Sequence, residues 1–313
     1  MASSPSLSPT AKRHCARRPA FVCLDLETDG LFDDDPESEH YGREVNITCA
    51  STLHSASQRH ILWCSMAPGV TTSALPVAPS KWSCEWAHKE AALDEEHAKG
   101  GEDSPLCLLH MDVHECERLL HYMERCVSEG DVVLTFNGGS YDFRVLATVF
   151  TRYGRRDLAR RTCELCKHHS DLLFTFLTFK GFFVKLSSIA KAMLPRQEEN
   201  SKSMTGAEAV TKWESCKGTQ QRDVLRYVLG DTYLLLQIAY EVEDRKRVLW
   251  VSKSNRVAEL DLSRIAATVP HLLAHYTIDR CLAVKLPDTA WMQKKGMQPI
   301  NRAQVLAWLD MHV

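Results

Sequence analysis

The chain has 313 residues, of which 44% are hydrophobic and 25% charged, with a formal net charge of −2. This length supports one full core with a small appendage, the composition is that of a water-soluble globular protein, and no apolar run reaches the ~20 residues of a membrane helix. A near-neutral balance excludes recognition of a polyanion through a global positive field, so nucleic-acid contact would depend on local patches or bound cations.

Residues 1–19 are rich in Ser, Pro and base, including Lys12, Arg13, Arg17 and Arg18, and contain no acid. They predict a disordered basic tail, with a transit peptide as the alternative. Residues 21–28 then read as a buried strand interrupted by two acids, Asp25 and Glu27. Side chains two apart on a strand share a face, so these carboxylates converge. Like charges at the edge of an apolar core need a cation or a proton to compensate them, and metal binding is the first expectation. An EF-hand reading of Asp25, Glu27, Asp29 and Gly30 fails at the twelfth position, which is Pro36, and at the strand that precedes the loop.

Residues 45–53 and 60–64 alternate as antiparallel strands beside the first. Residues 76–105 are polar and poorly patterned, which predicts an insertion or long loop. A helix over 113–127 leads to a second buried strand at 131–136, which ends in Asn137, Gly138, Gly139 and Ser140. A helical pattern begins at Tyr141 and Asp142, placing Asp142 at a strand-to-helix junction. The cluster Arg152, Arg155, Arg156, Arg160 and Arg161 reads either as a phosphate track or as a solvated helix face.

Cys163, Cys166, His168 and His169 contain a Cys-x-x-Cys pair. No second ligand pair with zinc-site spacing follows, so both a zinc site and ordinary helix residues stay open. Helical segments are expected from Asp171 through Leu173 and over 186–194, 207–213 and 222–243. In the last, Tyr227 and Asp231 are four apart and share a face. Gly230 lowers helix propensity there by about 1 kcal/mol, for which a close backbone approach is one explanation. Beyond a short strand at 248–251, the chain carries Trp291 and Met292, placed either to cap a groove or to pack an extension, and a last helix near 303–309.

The ordered set Asp25-Leu26-Glu27, Asn137 with Tyr141-Asp142, and Tyr227 with Asp231 resembles the DEDD superfamily of 3′-5′ exonucleases in its tyrosine-bearing branch. The resemblance implies an α/β, ribonuclease H-like mixed five-stranded sheet flanked by helices, with a small C-terminal extension. The exonuclease domain would span 20–245, with the insertion at about 76–105 and the extension at 246–313. It further implies hydrolysis of phosphodiesters in single-stranded DNA or RNA with two divalent cations, Mg²⁺ or Mn²⁺, about 3.5–4 Å apart. Asp25 would bridge both ions, Glu27 and Asp231 would help hold the ion that activates water, and Asp142 would hold the second. Tyr227 would orient the attacking water, because a phenol of pKa about 10 is a poor base near neutrality. Thr28 and Leu31 would contact the terminal sugar and wedge the last base, and Asn137 would steady the strand end or touch the terminal nucleotide.

The alternative is a catalytically inactive nucleic-acid or protein-binding module of the same fold. Twelve cysteines without a secretory signal, several of them in apolar segments such as Cys23, Cys49 and Cys126, predict reduced thiols in an intracellular, reducing compartment. Nucleus, cytoplasm and mitochondrion all fit that expectation.

Overall fold

The computed structural model describes residues 20–31, 44–66, 108–194, 204–269, 271–285 and 287. The basic tail, the polar insertion, Trp291, Met292 and the expected last helix lie outside these residues. The chain opens with strand β1 (Phe21–Thr28), whose near-continuous burial marks a central strand covered on both faces. β2 (Ile47–His54) and β3 (Arg59–Trp63) follow as an antiparallel meander, with Asp25 opposite Ser51 and Glu27 opposite Cys49. β4 (Ser65–Met66) and β5 (Leu108–Leu109) pair antiparallel, which brings residues 66 and 108 side by side.

Helix α1 (Val113–Ser128) starts where the Asp112 carboxylate accepts the Glu115 N–H, and it buries Cys116, Leu119, Leu120 and Met123 along one stripe. It delivers the chain to β6 (Val132–Thr135), parallel to β1. α2 (Asp142–Arg152) and α3 (Arg156–His168) then lead to β7 (Ser170–Asp171), parallel to β6. The resulting sheet has the order β3-β2-β1-β6-β7, the five-stranded mixed sheet expected from the resemblance.

After β7 come α4 (Leu172–Lys180), α5 (Leu186–Met193), α6 (Gly206–Glu214), opened by a Thr205/Glu208 capping box, and the 28-residue α7 (Gly218–Arg245). β8 (Arg247–Val251) and β9 (Val257–Asp261) form a hairpin, followed by α8 (Ser263–Ala266), α9 (Leu272–His275) and α10 (Ile278–Ala283).

The two faces of the sheet are distinguished by residue parity. Leu24 and Leu26 lie opposite Thr52 and Ala50, on the side where Trp63 donates to Thr52 and meets the ring of Tyr122 on α1. Asp25 and Glu27 lie opposite Ser51 and Cys49, on the side covered by α7: Ser51 Oγ is 2.9 Å from Thr232 Oγ1, and Cys49 packs in one cluster with Tyr227 and Val228. Phe143 and Phe150, fully buried from α2, each contribute about 2–3 kcal/mol of burial to the core.

Three sequence expectations change. Asp171, expected to open a helical segment, ends the fifth strand instead, because its carboxylate accepts the Leu173 and Phe174 N–H groups and so starts the helix one residue later. β9 was not anticipated. Its residues alternate only weakly and are largely exposed, and their pairing is set by the turn after β8, in which Asn255 has φ +57°. Gly230 answers to no close approach among the described residues, since a Cβ there would meet nothing within 4 Å.

Candidate active site

The pairing of β1 with β6 extends from Phe21 to Cys23 and then lapses. Where it lapses, the Leu26 N–H is taken instead by Asp142 Oδ1 at 3.0 Å, which ties the first residue of α2 to the backbone between Asp25 and Glu27. This crevice lies at the carboxyl ends of two parallel strands, beside the point where the sheet changes from parallel to antiparallel. Open α/β sheets place ligands there.

Glu27, Asp142, Tyr227 and Asp231 are all buried, and Asp25 is half-buried. The helix turn carrying Tyr227 and Asp231 is held over the Asp25–Glu27 face by a polar triangle. His60 Nε2 lies 2.9 Å from Ser51 Oγ and 3.0 Å from Thr232 Oγ1, and burial lowers the His60 pKa to about 4, so the imidazole is neutral. Thr232 follows Asp231 directly and Ser51 faces Asp25 across the strands, so the triangle fixes the register of α7 against β1.

Asp142 is raised to about 7. Burial is the largest cause, with its own N–H pulling back, Asp171 pushing in the same direction as burial, and the Leu26 N–H opposing. A buried carboxylate with this little compensation is a hard oxygen donor that a divalent cation would stabilise, and the set Asp25, Glu27, Asp142 and Asp231 suits Mg²⁺ or Mn²⁺ chemically. Among the described residues, however, no three His, Cys, Asp or Glu side chains draw together as a metal site. Asp142 reaches the backbone between Asp25 and Glu27, and Asp231 lies on the helix that covers their face of the sheet.

Tyr141 is a site residue that the sequence reading used only as spacing. Thr28 Oγ1 donates to the Gly30 carbonyl at 2.7 Å, so its single proton is committed and the Tyr141 hydroxyl, also 2.7 Å away, donates to Thr28. Burial raises the Tyr141 pKa to about 12, and Glu27, Asp142 and Asp25 add to the rise. A neutral phenol therefore stands beside three of the four acids. The signal was the aromatic directly before Asp142, two positions beyond the glycine pair.

The remaining candidates divide. Thr28 is buried against Tyr141, whereas Leu31 is one of the exposed large hydrophobics, at 38%. Asn137 adopts φ +74°, its N–H goes to Asp171 Oδ1 at 3.0 Å, and its buried Oδ1 has no hydrogen-bond partner among the described residues. In the arginine cluster Arg156 and Arg160 are exposed, and the other three members are paired within the protein. Arg152 reaches Asn46 and the Val45 carbonyl, Arg155 makes a two-pronged pair with Glu117, and Arg161 pairs with Glu124.

The Cys-x-x-Cys group ends a helix, with both thiols packed inside and His168 exposed. Cys163 and Cys166 are fully buried thiols raised by that burial, His169 is held between Thr135 and the Cys166 carbonyl, and His168 faces Glu164. The nine described cysteines are thiols, eight of them buried. No described helix is long and apolar enough to cross a membrane.

Sheet and crevice together define an α/β protein of ribonuclease H-like architecture. Residues 101–239 match the family described as the RNase_H superfamily, a span that includes Asp142, Tyr227 and Asp231. Among solved structures the chain is similar to the family B DNA polymerase from the hyperthermophilic archaeon Pyrobaculum calidifontis, with 11% sequence identity and a TM-score of 0.43. That alignment covers 72% of this chain and 24% of the polymerase, about a quarter of its length. No curated protein matches the chain in sequence.

Proposed function

We propose that the chain is a metal-dependent 3′-5′ exonuclease of the tyrosine-bearing DEDD type, acting on single-stranded DNA or RNA. The observation that carries this reading is the Leu26 N–H to Asp142 Oδ1 bond, which draws an acid from 116 residues away to the strand between Asp25 and Glu27. The match of residues 101–239 to the RNase_H superfamily supports it. In the reaction, water adds to a terminal phosphorus, the P–O3′ bond breaks, and a nucleoside 5′-monophosphate leaves with a free 3′-hydroxyl on the shortened strand.

Asp25, Glu27, Asp142 and Asp231 would hold Mg²⁺ or Mn²⁺, which when bound supply water activation and stabilisation of the leaving oxygen. Tyr227 orients the attacking water through its hydroxyl. Tyr141 keeps its proton through the neutral range and donates it toward Thr28, fixing the wall against which the terminal sugar rests. Leu31, exposed at the end of β1, wedges the last base, and Asn137 contacts the terminal nucleotide. The buried thiols support a reducing compartment.

The test is hydrolysis of end-labelled single-stranded DNA and RNA with Mg²⁺, with Mn²⁺ and with chelator, alongside Asp25→Ala. Metal-dependent release of mononucleotides from the 3′ end, lost in Asp25→Ala, is expected; activity that survives the substitution refutes the assignment. The second reading is a non-catalytic nucleic-acid or protein-binding module of the same fold. Thermal stabilisation by Mn²⁺ without cleavage would select it.

A further inference from the structure

We infer that Asp171 and Ile278 are positioning residues for this site, clamping the loop 137–140 from two sides so that Asp142 is presented to β1. The inference rests on the nuclease reading for its catalytic consequence. Asp171 is completely buried at the end of β7 and acts through the loop it holds. Its Oδ1 accepts the N–H groups of Asn137, Leu173 and Phe174, and its Oδ2 accepts the Gly139 N–H at 2.9 Å and the Thr135 hydroxyl at 3.2 Å. One carboxylate thus joins the end of β6, the loop and the start of α4. Asn137 holds a left-handed conformation, which Asn adopts more readily than most residues, and the chain turns there as its N–H meets the carboxylate.

The second side of the clamp comes from the C-terminal segment. Thr277 pairs with Ser170 and the Ile278 N–H donates to the His169 carbonyl, so the chain docks along the outer edge of β7. Ile278 then abuts the loop so closely that a Cβ on Gly139 would lie 2.7 Å from its Cδ1, with Phe174 Cε2 at 3.4 Å. Gly138 is equally confined, since a Cβ there would lie 2.6 Å from Thr135. The two glycines mark a loop pressed into place, and the next turn of chain carries Asp142.

The clamp is tested on the full chain with Mn²⁺ and labelled single-stranded DNA, together with hydrogen exchange over 136–146. Asp171→Asn can keep one oxygen on the α4 amides but turns a donor toward the Gly139 N–H. It should speed exchange in the loop and lower kcat about 10–100-fold, with KM within about twofold. Where that variant fails to fold, Gly139→Ala should lower kcat about tenfold, and adding Ile278→Val, which deletes the clashing Cδ1, should recover most of the loss. Unchanged loop exchange in Asp171→Asn and Gly139→Ala, or no recovery in the double variant, overturns the clamp. A wild-type chain that hydrolyses nothing overturns the nuclease reading instead, and loop exchange still decides the clamp.

Discussion

Two buried aspartates flank one loop and are treated oppositely by the fold. Asp171 accepts four backbone N–H groups and a hydroxyl. Asp142 accepts the Leu26 N–H and its own, and is pushed up to about 7. A saturated buried carboxylate organises structure, while an under-compensated one leaves electrostatic demand that a cation can meet. Burial alone therefore does not separate a structural acid from a functional one; the number of donors around it does.

The strongest test of this contrast is removal of an acid from the crevice. Asp231→Ala should reduce mononucleotide release by about a hundredfold or more while the circular dichroism spectrum and melting profile are retained. Asp171→Ala should do the reverse in emphasis, destabilising the chain by about 3 kcal/mol or more in urea unfolding, because several buried N–H groups lose their acceptor.

Asp142→Asn sharpens the comparison through pH. In the unfolded chain Asp142 ionises near 3.8, and in the folded chain near 7. Between these values only the folded state holds the proton, so its contribution makes stability fall as pH rises through that window and level off above it. The slope is at most about 1.4 kcal/mol per pH unit. Metal-free Asp142→Asn should lose this slope and melt higher than wild type at pH 7.5 while losing hydrolysis; an identical pH dependence of the two proteins would remove the electrostatic argument. Tyr227→Phe should slow turnover about tenfold with Mn²⁺ affinity unchanged, measured by calorimetry. The smallest effect belongs to Gly230→Ala, expected to stabilise α7 by about 0.5–1 kcal/mol because its Cβ enters open space.

Much of the sheet was legible because its signals are local. Residues 21–28 alternate two acids with apolar side chains, and the meander and the helices over 113–128, 186–193 and 218–245 follow their periodicities closely. The spacing of Asp25, Glu27, Asn137, Asp142, Tyr227 and Asp231 was equally readable as a resemblance. Other parts depend on partners remote in sequence. A two-residue strand such as Ser170–Asp171 has no period to read, and its following helix pattern absorbs it. The donation from Tyr141 to Thr28 joins residues 113 apart, and the His60–Ser51–Thr232 triangle spans up to 181. The basic run around Arg155 stayed open between a phosphate track and a solvated helix face because its partners Glu117 and Glu124 sit on a different helix.

The docking of Thr277 and Ile278 against β7 has a consequence for the order of assembly. The loop beside Asp142 is made from the middle of the chain, yet its rear support emerges from the ribosome only after every strand of the main sheet has been synthesised. A nascent chain that has just completed α7 already holds Asp25, Glu27, Asp142 and Asp231 but lacks that support, so the loop beside Asp142 is seated only after Thr277 and Ile278 have emerged.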